Sequence, residues 1–336
     1  MGSLVGDSPA SLVKGMNGLV GHFASLGRYI AQHKQRAQAD TLAQAELARN
    51  AASVLDLPPG LELEWLGVAG YRLTFEGQTI YIDPYVSRVT LAEVMRGRTA
   101  LANQQLVERW LKPKGRVVGV LVGHTHFDHA IDIPEICARH DCPAYGSSSL
   151  AQLMRLHGQG ERAVEVVAHK PLELGPFTVT FVPSLHSKLL LGLKVPSDGE
   201  LTCEHLDALS PTAYKCGQVW GIHVEVAGKT FYHQGSANLL DDEIRHRGVD
   251  VFLAGIAGRR FTPNYWPRAL GALQPRVVVA SHFDDFFRPL DTPAGFSLNV
   301  NLAAFPEEIT AVSGDFTTLA LLPFEPVQSS REQSSA

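Results

Sequence analysis

Gly123-His124-Thr125-His126-Phe127-Asp128-His129 puts three histidines and one aspartate within six consecutive positions. The residues just before it, 116–122, are apolar (Val117, Val118, Val120, Leu121, Val122) and predict a short buried strand. Residues 131–140 predict a helix. The ligand-type side chains therefore sit on a tight strand-to-helix loop, where polar groups converge without disturbing a core. Imidazole and carboxylate are usual ligands for zinc and similar divalent ions. Alternate residues of an extended loop point the same way, so His124 and His126 can hold one ion. Asp128 and His129 follow where the chain turns and can address a second. The competing reading is a polar loop with a helix-capping aspartate and solvated histidines. Four such residues in six positions behind an apolar strand weigh against it.

The run His124-Thr125-His126-Phe127-Asp128-His129 resembles the metal signature of the metallo-β-lactamase superfamily. The resemblance implies an α/β fold, an αββα sandwich with metals at one edge, and a hydrolase. It also implies further ligands past apolar strands. Residues 177–182 run into Pro183-Ser184-Leu185-His186-Ser187, and the resemblance gives His186 the next ligand role. Residues 277–280 run into Ser281-His282-Phe283-Asp284-Asp285-Phe286, and it gives His282 the last. By the family pattern His124, His126 and His186 form one metal set, and Asp128, His129 and His282 the other. The implied cofactor is a pair of divalent ions, zinc first, with manganese or iron as alternatives. Asp83, in Asp83-Pro84-Tyr85 at a predicted strand end, resembles a family aspartate that holds the loop or orients a ligand histidine. On its own sequence it reads equally as a turn-initiating Asp before Pro.

One position departs from the pattern. The strand at 230–232 ends in His233-Gln234-Gly235-Ser236-Ala237-Asn238, where the superfamily typically has Gly-Asp-(Thr/Ser) with the aspartate bridging both metals. Ser236 stands at the Asp position. A hydroxyl is neutral and a poor ligand unless ionised. The second ion should then bind more weakly, or another group must compensate. Asn238, Asp241 and Asp242 are near in sequence, although the two aspartates also suit the N-terminus of a following helix. His233 is a further site-facing candidate.

Working outward, residues 1–56 form a helical N-terminal extension. Leu12, Val13, Met16, Leu19, Val20, Phe23, Leu26 and Ile30 recur at helical spacing, weakened by glycines, and 41–55 is Ala-rich. An arm packed on its own domain or on a partner subunit is expected. A membrane-surface anchor is the alternative, with only slight basic character from Lys14, Arg28, Lys34 and Arg36. No secretory signal and no membrane span is read. Leu57-Pro58-Pro59-Gly60 marks a boundary. Residues 57–325 then form the hydrolase domain, and the Ser- and Gln-rich stretch 326–336 a disordered tail. Strands are expected at 61–66, 71–75, 79–82, 163–168, 219–226 and 249–254, and a serine-capped helix at 147–156. After the last of these strands, Arg259 or Arg260 is a candidate receiver of an anionic substrate group, and Tyr265 and Trp266 a candidate aromatic wall. The insertion 188–214 opens with Leu189-Leu190-Leu191-Gly192-Leu193, a candidate lining or lid.

The composition, 45% apolar and 19% charged over 336 residues, is that of a soluble globular protein with a substantial core. A net charge of −5 without a long basic run argues against nucleic acid as partner. Cys137, Cys142, Cys203 and Cys216 form no C-x-x-C pair and read as free thiols of a cytoplasmic protein. The implied activity is attack by a metal-activated water, oriented by catalytic Asp128, on an ester-like bond: a lactone, a carboxylic ester or a phosphodiester. Residues 65–85 and 281–286 resemble the branch that holds ascorbate-phosphate lactonases and N-acyl-phosphatidylethanolamine phospholipases D. A small-molecule or lipid-like substrate is expected, with peripheral membrane contact and a homo-oligomer both open. The alternative is a metal-binding or scaffold protein of the same fold with little hydrolysis, for which Ser236 is the motive.

Overall fold

The computed structural model describes residues 24, 27, 28, 30–189, 192–293, 295–298 and 300–329. The apolar spacing read at 12–26 lies outside the described residues, apart from position 24, as do Leu190 and Leu191 of the insertion and the end of the chain from 330. Among the described residues the chain begins with helices α1 (His33–Ala48) and α2 (Ala51–Leu55). Strands β1 (Glu62–Gly67), β2 (Gly70–Phe75) and β3 (Gln78–Ile82) follow, then helices α3 (Leu91–Arg96) and α4 (Gln104–Trp110). Strand β4 (Arg116–Leu121) leads into α5 (Phe127–Ala130) and α6 (Ile133–His140), then β5 (Ala144–Gly146), α7 (Ser148–Leu156) and β6 (Ala163–Glu165). The second half holds β7 (Leu172–Leu174), β8 (Phe177–Ser184), β9 (Val219–Val226), β10 (Lys229–Gln234) and β11 (Val251–Gly255). It closes with α8 (Tyr265–Leu273), β12 (Val277–Ser281), α9 (Phe305–Thr310) and β13 (Thr317–Ala320).

Two sheets result, in the orders β1-β2-β3-β4-β5-β6 and β13-β12-β11-β10-β9-β8-β7. Each begins antiparallel and continues parallel, the change falling at β3–β4 in one and at β10–β11 in the other. Side chains alternate between two cores, as a strand's period of two requires. On β3, Ile80 and Ile82 face the other sheet, and Tyr81 faces the helices. At the end of β4, Leu121 joins the inter-sheet core, and Val120 and Val122 pack with Ile136, Leu150 and Leu153. On the far side, Leu270, Leu273, Phe305 and Ile309 of α8 and α9 cover the second sheet. The architecture is the αββα sandwich with a helical N-terminal segment.

Helix α1 is fastened to the sandwich. The Gln44 amide donates to the Leu321 carbonyl at 3.2 Å, and buried Asp40 accepts from the Ala303 N–H at 2.8 Å. Ala51, Leu55 and Leu57 enter the inter-sheet core. The tail reading needs correction for residues 326–329. Val327 exchanges both backbone hydrogen bonds with Leu63 of β1, at 2.8 and 3.0 Å, because the edge of the first sheet offers unpaired groups there. All four cysteines are free. Among the described residues no helix is long and apolar enough to cross a membrane.

Strands β3, β4, β8, β10 and β12 finish at one edge of the sandwich. β3 pairs parallel with β4, β10 runs parallel to β11 and β11 to β12, and β8 is related to β10 through the antiparallel β9. Their C-terminal ends carry Asp83, His124, His186, Ser236 and His282. Open α/β sheets place ligands at such strand ends, where side chains and backbone leave the core together.

Candidate metal centre

The motif occupies the turn between β4 and α5. Gly123 donates its N–H to Asp83 Oδ1 at 2.6 Å, and a Cβ at position 123 would lie 2.9 Å from Asp83 Oδ2. Gly235 is under the same constraint, again 2.9 Å from Asp83 Oδ2. These two glycines let both sheets close around one fully buried carboxylate. Asp83 itself and His282 adopt left-handed backbone, φ 44° and 56°, the kind of local strain that collects at functional sites.

His124, His126 and His186 bring one ligand atom each within 4.8 Å of one another, and so do Asp128, His129 and His282. Asp83, His124 and His129 meet the same limit. Within this last group Asp83 acts from behind, because the His129 Nδ1–H donates to Asp83 Oδ2 at 2.8 Å and leaves Nε2 free to ligate. His126 Nε2 donates to the Pro196 carbonyl at 2.8 Å, which leaves Nδ1. His186 Nδ1 donates to the Ser187 carbonyl at 2.7 Å, which leaves Nε2. Each of these rings is thus held by one nitrogen and offers the other.

The chemistry of the donor set fits a metal. Both nitrogens of buried His124 and Nδ1 of buried His282 have no hydrogen-bond partner in the described structure. Orphaned polar atoms in a dry site are costly unless something binds them. The protonation states of His124, His126, His186 and Asp128 also suit ligation. Burial, reinforced by the neighbouring histidines, pushes His124 well below the ordinary imidazole range. Burial lowers His126 to about 4 and His186 to about 3. Asp128 resists its burial because His129, His282 and His126 surround it, and it stays ionised. For His129 burial opposes the charge, but Asp83 and Asp128 together outweigh it and raise the ring. Neutral imidazoles and an ionised carboxylate are the ligating forms.

The other candidates fall in different places. Ser236 is buried, and its Oγ accepts the Ser187 N–H at 2.9 Å, so it ties down the residue after His186. The Asn238 side chain meets the His186 carbonyl at 3.5 Å and accepts from Leu239 N–H. His233 lies fully buried behind the site, with Nε2 on the Ala69 carbonyl at 2.8 Å and 3.9 Å from Asp83. Asp241 and Asp242 begin only a 3-10 turn, Asp241–Glu243, with no side-chain cap, and Asp241 pairs with Arg268 at 2.5 Å.

Arg259 corrects the substrate-arginine expectation. Its guanidinium is buried in an ion pair with Glu308 at 2.6 Å and donates to the Val300 and Asn301 carbonyls. Arg260 is exposed, with its charge disfavoured first by partial burial and then by Arg259. Tyr265 and Trp266 form no wall at the site. They are buried at the start of α8, and Trp266 donates to Glu308 at 3.0 Å. The backbone of the insertion, at Pro196, and of the residues just after it, at Cys216, crosses the motif. The Thr125 N–H donates to the Cys216 carbonyl at 2.9 Å, and Pro196 sits on His126.

Sequence reasoning missed the clasp that aligns the second sheet. The β1–β2 turn reaches across, with the Val68 carbonyl accepting from His282 N–H at 2.7 Å and the Val68 N–H donating to Asp284 at 2.8 Å. Arg88 holds the same Asp284 at 2.9 Å. It also missed Phe286 and Phe287 beside the metal centre. Their place four and five residues after the candidate ligand His282 was the available signal.

A model of the beta-lactamase superfamily domain matches residues 78–283, which include all six candidate ligand positions. The chain belongs to the metallo-β-lactamase superfamily. Superfamily relatives support the same placement. A UPF0173 metal-dependent hydrolase of Anaeromyxobacter dehalogenans is 28% identical over 280 residues, covering 79% of this chain and 86% of the relative. One from Methanopyrus kandleri is 26% identical over 231 residues, covering 67% and 85%. Among solved structures, Igni18, a metallo hydrolase from Ignicoccus hospitalis, superposes with a TM-score of 0.51 at 19% identity, covering 80% of this chain and 97% of that one. CmlA, a diiron β-hydroxylase from Streptomyces venezuelae, gives 0.50 at 14% identity, over 81% and 55%. At these identities the structural likeness concerns the fold alone.

Proposed function

We propose that this superfamily member is a metal-dependent hydrolase that cleaves an ester-like bond: a lactone, a carboxylic ester or a phosphodiester. The observation that carries the reading is the paired donor set, in which His124 and His282 keep buried nitrogens without partners and Asp128 stays ionised while burial keeps His124, His126 and His186 neutral. His124, His126 and His186 would hold one divalent ion, and Asp128, His129 and His282 the other, zinc being the ion such a set suits best. When bound, such ions acidify water and polarise a carbonyl or phosphoryl oxygen.

The chain's own groups do the rest. Asp83 and the Pro196 and Ser187 carbonyls fix the ring orientations. Asp128 orients the attacking water and takes its proton. The water oxygen goes to the acyl carbon or phosphorus, the ester C–O or P–O bond breaks, and the leaving alcohol recovers the proton. The substrate is a small or lipid-like molecule rather than a nucleic acid, since the net charge of −5 offers no basic track for phosphates.

The test combines metal analysis of protein purified without chelators with turnover of a lactone, an aryl ester and a bis-aryl phosphodiester. Two ions per chain with one class turned over support the reading. Two ions with no turnover of any of the three overturn it and favour the scaffold alternative.

A further inference from the structure

We infer that the group next to the scissile bond is apolar and packs on a shelf formed by Phe127, Phe286 and Phe287, an inference that rests on the hydrolase reading above. Phe127 stands between two ligands, His126 and Asp128. The Phe286 ring meets the ligand His282 edge-on, 5.7 Å between centroids. Phe286 and Phe287 lie 4.2 Å apart, and Phe127 lies 6.2 and 6.4 Å from them. Tyr85, fully buried, backs Phe127 at 6.1 Å, so the shelf has a rigid floor. All three rings are only half-buried. Three adjoining, partly exposed phenyl rings beside the candidate metal centre leave apolar area that a bound group can cover.

The two buried arginines on this side of the sheets argue in the same direction. Recognition of an anionic headgroup calls for a guanidinium with donors to offer. Arg259 is committed to Glu308 and two carbonyls, and Arg88 to Asp284. The shelf, by contrast, presents ring faces and edges, which suit an aliphatic chain or an aryl group. The substrate class is therefore an ester whose acyl or leaving group is hydrocarbon at the positions nearest the reacting atom.

The experiment uses the metal-loaded full chain. Ethyl alkanoates from two to ten carbons are followed by pH-stat, and binding of the matching alkanoates by calorimetry. Each methylene that reaches the shelf should raise kcat/KM and affinity about fourfold. Phe286→Ala with Phe287→Ala should flatten both gradients. Phe287→Leu, which keeps an apolar side chain, should retain most of them and guards against misfolding of the double variant. Leu42→Ala, which removes another exposed apolar side chain, should leave them intact. Turnover without a chain-length gradient would overturn the shelf and leave the hydrolase reading standing. An affinity gradient with no turnover of the ethyl esters, the lactone or the phosphodiester would overturn the hydrolase reading and leave the shelf. A gradient unchanged in the double variant would place the apolar subsite elsewhere and refute this assignment.

Discussion

Replacing Asp83 by Asn should weaken the second metal selectively. Asp83 has two acceptors in use, Oδ1 on the Gly123 N–H at 2.6 Å and Oδ2 on the His129 Nδ1–H at 2.8 Å, in a fully buried position. Asparagine can match one of them. If its oxygen keeps Gly123, its NH2 faces His129 Nδ1, and two donors meet. The ring escapes by moving its proton to Nε2, the nitrogen on the Asp128 side, 3.8 Å from that carboxylate. A protonated Nε2 cannot ligate, so the Asp128–His129–His282 set loses a donor. Keeping the original tautomer instead leaves buried donors unpaired, at about 1–3 kcal/mol. Loss of a partner behind a metal ligand typically weakens binding about 10–100-fold, or roughly 1.4–2.7 kcal/mol. A competitive titration against a chromophoric chelator resolves the two binding steps. The weaker step should shift by that factor, and the step assigned to His124, His126 and His186 should move only a few-fold. Circular dichroism of the metal-free variant checks that the fold persists. An unchanged second step in a folded variant would refute the role given to Asp83.

Other outcomes follow from the same structure. Replacing His124 and His126 together by Ala should remove the primary ion, read by elemental analysis; full metal content would refute the assignment. Ser236→Asp should raise occupancy of the second site by placing a carboxylate beside the Ser187 N–H, and no change would mean another group already bridges. Arg259→Met should cost about 1–3 kcal/mol in urea unfolding, because it leaves the Val300 and Asn301 carbonyls without their buried donor, while partly exposed Glu308 keeps solvent; a neutral result would show the arginine contributes little. His223, stacked on His246 at 3.8 Å, is lowered to about 4 by burial and then by His246. Its folded pKa lies below the ordinary 6.5, so the stability it confers is present above pH 6.5 and lost as pH falls towards 4. In metal-free protein, His223→Phe should reduce the stability lost between pH 7.5 and 5 by about 2 kcal/mol. Identical pH dependence in chelated wild type and variant would refute that attribution.

The strand-loop-helix motif was legible because β4 is apolar and its end is dense in ligand-type side chains. β8 and β12 were legible for the same reason. The three-residue strands β5 and β7 were not, since Pro143 and Pro171 directly precede them and cut the pattern short, whereas the equally short β6 sits in the longer run 163–168. β13, Thr317-Thr318-Leu319-Ala320, carries too little apolar signal to stand out from its surroundings. Helix α8 was missed because Pro267 sits in its first turn and makes Tyr265 and Trp266 read as loop aromatics. Arg259 was misread because its partner Glu308 lies 49 residues away, a separation that no local pattern reports. The same limit hid the hydroxyl of Ser236, whose partner is the backbone of Ser187.

The clasp between the β1–β2 turn and His282 bears on the order of assembly. Position 68 must meet position 282 across the sandwich before that histidine is aimed, and Asp83 must meet Gly123 and His129 before the first loop is set. Pairings this distant in sequence close late, after local strands and helices. A chain still emerging from synthesis therefore presents the His124–His126 pair well before the second set exists. Capture of the second ion becomes a report that both sheets have docked, and its release in chelator should precede global unfolding rather than accompany it.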